Sequence, residues 1–90
     1  GLEDAIEVRQ GDLLQGLSQQ FDFAAANILA PVICMLAAPL KAHLKPHGRF
    51  ICSGIIAEAE DEVNEALLAA GYQIDEIVHK GDWVAFATHI

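Results

Sequence analysis

The order of segments along this sequence predicts an α/β fold, with a mostly parallel sheet that ends in an antiparallel hairpin. Apolar runs of strand length alternate with segments whose apolar residues recur at helical spacing. The last two strand-like segments, residues 72–79 and 83–89, are joined by three residues only. A parallel return needs a crossover of about a dozen residues, so these two strands must form a hairpin.

The first half of the chain contains two predicted strands and a helix. Residues 6–10 alternate apolar and polar side chains, which is typical of a half-buried strand. Residues 21–28 are almost continuously apolar, as in a central parallel strand that is buried on both faces. A helix is predicted from Pro31, because proline is favoured at the first helical position. Pro39 is expected to kink or split this helix, and residues 45–48 to end it.

The second half adds a strand, a helix and the hairpin. Residues 49–55 are predicted to form a second buried strand. Residues 58–70 give the clearest helix, because acidic side chains crowd its first turns and Gly71 follows its last apolar residue. The predicted order is therefore β, β, α, β, α, β, β, which is an α/β pattern.

Composition narrows the classes of protein that this chain can belong to. Its 90 residues make one small domain, and 13 acidic against five basic residues give a net charge of −8. This charge argues against direct nucleic-acid binding and is compatible with a basic partner. No apolar run is long enough to span a membrane, and no signal peptide is visible. Cys34 and Cys52 are predicted to be buried free thiols in a reducing compartment, the cytoplasm.

Asn27 is the residue for which chemistry is most expected. It directly follows an apolar strand and precedes a helix. Ligands of open parallel sheets bind at the carboxyl ends of the strands, so the Asn27 amide would face such a crevice. The alternative is that Asn27 caps the following helix, since asparagine is a favoured N-cap residue.

Four stretches of the sequence resemble one methyltransferase family. Residues 21–30 resemble the fourth-strand motif of class I S-adenosylmethionine-dependent methyltransferases, and more narrowly of the PrmA-type ribosomal protein L11 methyltransferases, which carry Asn-Ile-Leu-Ala there. Residues 44–50 resemble the family's Leu-Lys-Pro-Gly-Gly-Arg turn, and residues 53–55 its Ser-Gly-Ile. Residues 81–85 resemble its Gly-Asp/Glu-Trp segment. The resemblance covers essentially the whole chain, in the right order.

The resemblance implies that residues 1–90 are the second half of a Rossmann-like methyltransferase sheet, from the third strand onward. The family's cofactor loop is missing, since no Gly-x-Gly occurs in the chain, and so is its N-terminal substrate-recognition domain. In the family's strand order 3-2-1-4-5-7-6, residues 6–10 and 21–28 both lose a neighbour. We therefore expect residues 6–10 either to fold into the vacant place beside residues 21–28 or to pair between copies of the chain.

The resemblance also implies a reaction. The parent protein would be a protein-lysine N-methyltransferase that moves a methyl group from S-adenosylmethionine to an amine, lysine or N-terminal, of a basic ribosomal protein. Asn27 and the backbone of Ile28 and Leu29 match the positions that orient the amine, and Asn27 also matches a cofactor contact. Asp12 matches a contact to the adenine, or is a plain turn residue. The isolated chain is expected to be inactive, and a non-catalytic α/β interaction module is the alternative.

Other residues favour structural explanations. His43 and His47 have the spacing of a zinc site on a helix, but Pro46 interrupts the helix and no third ligand is in view. Trp83 opens a hairpin strand, where packing is more typical than stacking on a ligand. The acidic run at residues 58–65 is most simply the solvated face of a helix, and a docking surface for a basic protein is the alternative.

Overall fold

A computed structural model describes residues 4–9 and 19–90 of the chain. Within this part, five strands and two helices follow one another in the order that the sequence predicts. They are β1 (Ala5–Val8), β2 (Phe21–Asn27), α1 (Ala30–Lys41), β3 (Leu44–Ile56), a short 3-10 turn (Ala57–Ala59), α2 (Glu60–Ala69), β4 (Gln73–Lys80) and β5 (Trp83–His89).

The five strands form one mixed sheet in the order β1-β2-β3-β5-β4. β2 pairs in parallel with β1 and with β3, whereas β5 pairs antiparallel with β3 and with β4. The predicted hairpin is therefore present. The pairings divide evenly between the two kinds, in contrast to the mostly parallel sheet that we predicted, because the returning strand β5 inserts between β3 and β4 and makes both of its pairings antiparallel.

β1 occupies the place beside β2 that the sequence left without a neighbour. The backbone N–H of Asp22 donates to the carbonyl of Asp4 over 2.7 Å. The Lys45 ammonium lies 2.6 Å from the Asp4 carboxylate and 3.6 Å from that of Asp22, so it ties the start of β1 to β2 and β3. Of the two arrangements expected for residues 6–10, the structure shows the intramolecular one. Gln10 itself lies outside the described residues.

The hydrophobic core lies between one face of the sheet and the two helices. In β2, Ala24 and Ala26 are buried, whereas Phe23 and Ala25 on the opposite face are only partly buried. The prediction that this strand is buried on both faces is therefore wrong for the described residues. The reason is that α1 and α2 contact each other and cover the same face. The other buried positions of the sheet on that face are Val8, Phe50, Cys52, Ile55, Val84, Phe86 and Thr88.

The helices differ from prediction mainly at their ends. Pro39 does not split α1, because it lies in the last turn, two residues before the helix ends at Lys41. α2 begins at Glu60 rather than at Glu58, because a 3-10 turn precedes it. No helix in residues 4–9 and 19–90 is long and apolar enough to cross a membrane.

The segment that was expected to end α1 belongs instead to β3. The helix ends at Lys41 and the strand begins at Leu44. The register between β2 and β3 shifts in this segment, so the chain makes its turn as an irregularity inside a strand. His47 has a φ of 63°, a left-handed conformation that non-glycine residues adopt at a cost.

Replacing His47 by glycine is expected to stabilise the chain by up to about 1.5 kcal/mol. The substitution removes a left-handed strain of roughly 1–2 kcal/mol and adds a backbone entropy cost of about 0.5–1 kcal/mol. Urea unfolding measures the difference. Arg49→Gly is the control, because Arg49 is also exposed in β3 but does not have a positive φ. It should lower the free energy of unfolding, and a similar loss in His47→Gly would contradict the prediction.

Candidate functional site

Asn27 stands at the carboxyl end of β2, where the chain leaves the sheet. Its side chain is exposed, and it pairs in parallel register with Ser53 of β3. The carboxyl ends of β1, β2 and β3 meet at this edge around an open cavity of about 670 Å³. A cavity of this size, at the carboxyl ends of parallel strands, is where ligands of α/β sheets bind.

The Asn27 side chain does not cap helix α1. Within the described residues, the N-cap position of α1 belongs to Leu29, with no side-chain hydrogen bond at the cap. The Asn27 side chain instead lies over Gly54, whose φ is +79°. A Cβ atom at position 54 would overlap the Asn27 Oδ1 atom, so the glycine leaves space for the amide. The capping alternative is therefore wrong, and the amide is presented at the cavity.

Ile28 and Leu29 follow Asn27 along the wall of the cavity but differ in what they present to it. The Leu29 carbonyl accepts hydrogen bonds from the backbone N–H groups of Val32 (3.0 Å) and Ile33 (3.1 Å), in the first turn of α1. Leu29 therefore offers its side chain, which is 58% exposed. The Ile28 side chain is buried in the core, so Ile28 can act at the cavity only through its backbone.

Three of the cavity-wall residues that were not predicted as site residues have large polar or aromatic side chains. Glu7 and Arg9 lie at the end of β1, with the Arg9 Nε atom 3.5 Å from the Glu7 carboxylate. Trp83 is 54% exposed and lines the cavity from the start of β5, although packing was favoured for it. Trp83 pairs with Ile56 at the very end of β3 and with Lys80 at the end of β4. Asp12, the other predicted cofactor contact, lies outside the described residues.

Comparison with known proteins identifies the family. The family model "Ribosomal protein L11 methyltransferase (PrmA)" matches residues 1–89. The chain belongs to the ribosomal protein L11 methyltransferase family. A curated member from Exiguobacterium sp. is 46% identical over 85 residues, which is 94% of this chain and 27% of the relative. A member from Halalkalibacterium halodurans is 49% identical over 80 residues, which is 89% of this chain and 26% of the relative.

Solved structures agree with this assignment. The crystal structure of a ribosomal protein L11 methylase from Lactobacillus delbrueckii subsp. bulgaricus matches with a TM-score of 0.80 and 34% identity, over 84% of this chain and 39% of that one. A methyltransferase from Pyrococcus furiosus matches with a TM-score of 0.64 at 16% identity, which shows the fold alone. The chain thus spans about a quarter of the length of its curated relatives in the L11 methyltransferase family.

The two cysteines of this L11 methyltransferase-family chain are free, and neither is suited to act as a nucleophile. Cys52 is buried in the core, and burial raises the pKa of its thiol to about 12. Cys34 is only half-buried, contrary to prediction, and its thiol contacts Glu62 in the first turn of α2. Burial raises its pKa first, and the charge of Glu62 raises it further.

The histidine pair does not form a metal site in the part of the chain that the structure describes. No group of three or more His, Cys, Asp or Glu side chains that could hold a metal ion occurs there. His43 lies between α1 and β3, while His47 is exposed in the irregular segment of β3.

Proposed function

We propose that this chain is the second half of the catalytic domain of an S-adenosylmethionine-dependent methyltransferase. It would methylate an amine, lysine or N-terminal, of ribosomal protein L11. The observation that carries the proposal is the exposed Asn27 amide at the carboxyl end of β2, in a chain of this family. The free thiols of Cys34 and Cys52 support a reducing compartment, the cytoplasm, for the protein.

The residues present fit one side of a cofactor site. The cavity is open, and beside its apolar walls it carries polar groups at Asn27 and Ser53 and the charged side chains of Glu7 and Arg9. S-adenosylmethionine, when bound, supplies a methyl group that its sulfonium activates. We propose Asn27 as a cofactor contact and Asp12 as the residue nearest the adenine. The Gly-rich loop has no counterpart in residues 1–90, and we assign it to the rest of a longer protein.

The chain's own contribution to catalysis is to orient a neutral amine. The Asn27 Oδ1 atom and the Ile28 carbonyl accept hydrogen bonds from the two N–H groups of the amine, so that its lone pair points at the methyl group. The Leu29 carbonyl already accepts two bonds from α1, so Leu29 contributes its exposed side chain as a wall. An amide suits this role because, unlike a carboxylate, it carries no charge that would hold the extra proton on the amine.

The proposal is tested by incubating the full-length protein with S-adenosylmethionine and purified ribosomal protein L11. Mass spectrometry should find methyl groups on amines of L11 and none on a control ribosomal protein of similar positive charge. Absence of methyl transfer together with absence of cofactor binding would contradict the proposal and favour a non-catalytic interaction module.

The isolated 90-residue chain is expected to bind S-adenosylmethionine weakly and to transfer no methyl group. It supplies only the half of the site around Asn27, and no Gly-x-Gly loop for the rest of the cofactor. Titration calorimetry of the chain measures this. A dissociation constant in the micromolar range would show that residues 1–90 hold the cofactor without the remainder of the protein.

Gly54→Ala in the full-length protein is expected to lower the rate of methyl transfer at least about tenfold. The added methyl group would overlap the Asn27 Oδ1 atom and displace the amide from its place. Gly81→Ala is the matched control, because Gly81 also has a positive φ but nothing among the described residues lies within 4 Å of the added Cβ. Both variants should lose about 1–2 kcal/mol of stability, and an equal loss of activity in both would contradict the argument.

A further inference from the structure

A second cavity, of about 360 Å³, adjoins the site at the start of α1. It shares Leu29 and Gly54 with the first cavity, so the exposed Leu29 side chain stands between the two. Its other walls are mostly apolar and come from the start of α1, the end of β3 and the 3-10 turn before α2. A substrate whose amine reaches Asn27 could therefore continue over Leu29 into this second cavity.

Glu62 is the one charged residue among the described residues that line the second cavity. It lies exposed in the first turn of α2, and its contact there is a weak hydrogen bond from the Cys34 thiol to its Oε1 atom, over 3.8 Å. No ion pair involves Glu62 among the described side chains, whereas the nearby Glu60 is paired with His79 at 2.6 Å. The second cavity therefore combines apolar walls with one carboxylate that has no cationic partner in this part of the chain.

We propose that the second cavity binds a lysine or arginine side chain of the protein substrate that lies close in sequence to the methylated amine. Lysine and arginine bury an apolar stem and keep a charged end, which matches apolar walls beside a carboxylate. The stem would lie along Leu29 and Ile56, and the cationic end would reach Glu62. The inference rests on the proposed function and adds to it a preference for basic sequence around the acceptor.

Charge complementarity distinguishes this occupant from the others. A purely apolar side chain would remove water from the Glu62 carboxylate and give it no partner, which is costly. An acidic side chain would be repelled by Glu62 and by the other acidic residues of the first turn of α2, Glu60 and Asp61. A cationic end is attracted by the Glu62 carboxylate and by the other negative charges of this turn, so a basic side chain is the favoured occupant.

The experiment is steady-state methylation of purified L11 by the full-length protein and two variants. Glu62→Gln should raise KM for L11 about tenfold and leave kcat at saturating L11 within about twofold. Asp61→Asn is the matched control, since Asp61 is exposed in the same helical turn but does not line the cavity. Its KM should stay within about twofold of wild type. Added salt should raise KM of the wild type more steeply than KM of Glu62→Gln.

An unchanged KM in Glu62→Gln would overturn the inference that the second cavity binds a basic side chain, while the proposed function stands. An equal rise of KM in both variants would also overturn it, because the net charge of the helix and not the cavity would then attract the substrate. If the wild-type protein transfers no methyl group to L11, the proposed function fails and takes this inference with it. Thermal unfolding of both variants checks that α2 keeps its stability.

Discussion

Replacing Asn27 by alanine in the full-length protein is expected to lower kcat for L11 methylation by about 10²–10³. Removing one preorganised hydrogen-bonding group from an active site typically costs a factor of this size. The Asn27 side chain is exposed at the cavity and is not used as a helix cap, so the loss should appear in turnover and not in folding. Initial rates at saturating L11 and cofactor measure kcat, and urea unfolding measures stability.

Asn27→Asp separates hydrogen bonding from the charge of the acceptor. The carboxylate keeps an oxygen for the amine N–H group, but its negative charge raises the pKa of the amine and favours the protonated form. Since only the neutral amine can accept the methyl group, the pH–rate profile of Asn27→Asp should move to higher pH than that of the wild type. Unchanged turnover in Asn27→Ala would remove Asn27 from its proposed role.

Phe50→Ala is expected to destabilise the chain by about 3–5 kcal/mol, the usual cost of removing a fully buried aromatic side chain. Phe50 lies in the centre of β3 with no exposed surface, and its ring centroid is 5.6 Å from that of Tyr72. The Tyr72 hydroxyl donates to the carbonyl of Ala37 in α1 over 2.7 Å, so this pair connects the sheet to the helix. Small domains are stable by only about 5–15 kcal/mol, so the variant should unfold at far lower urea.

Phe23→Ala provides the matched control for Phe50→Ala. Phe23 lies in the neighbouring strand β2 but on the face of the sheet that the described helices do not cover, and it is only partly buried. Its removal should cost clearly less, about 1–2 kcal/mol. Equal losses in the two variants would contradict the assignment of the core to one face of the sheet.

Elements with a strong local signal could be predicted from the sequence. Strand β5 was expected at residues 83–89 and is found there, because the three-residue connection to β4 allows only an antiparallel hairpin. Asn27 was placed at the edge of the sheet because it breaks an apolar run directly before a helix. The structure places it at that edge, beside the cavity.

Features that depend on tertiary contacts could not be predicted. The space for the Asn27 amide depends on Gly54, which is 27 residues away in the sequence and becomes its neighbour only through the pairing of β2 with β3. Trp83 is exposed at the start of β5, opposite the last residue of β3, a position that only the strand pairing defines. The single covered face of β2 follows from where both helices pack, which the apolar pattern of the strand alone does not reveal.

The most direct test of the account is one distance, measured in a crystal structure of the full-length protein with S-adenosylhomocysteine and L11. The nitrogen of the acceptor amine should lie about 2.7–3.2 Å from the Asn27 Oδ1 atom, at hydrogen-bonding distance. An acceptor nitrogen bound beyond about 5 Å from that oxygen, with the amide turned away from the cavity, would contradict the claim that the end of β2 orients the amine.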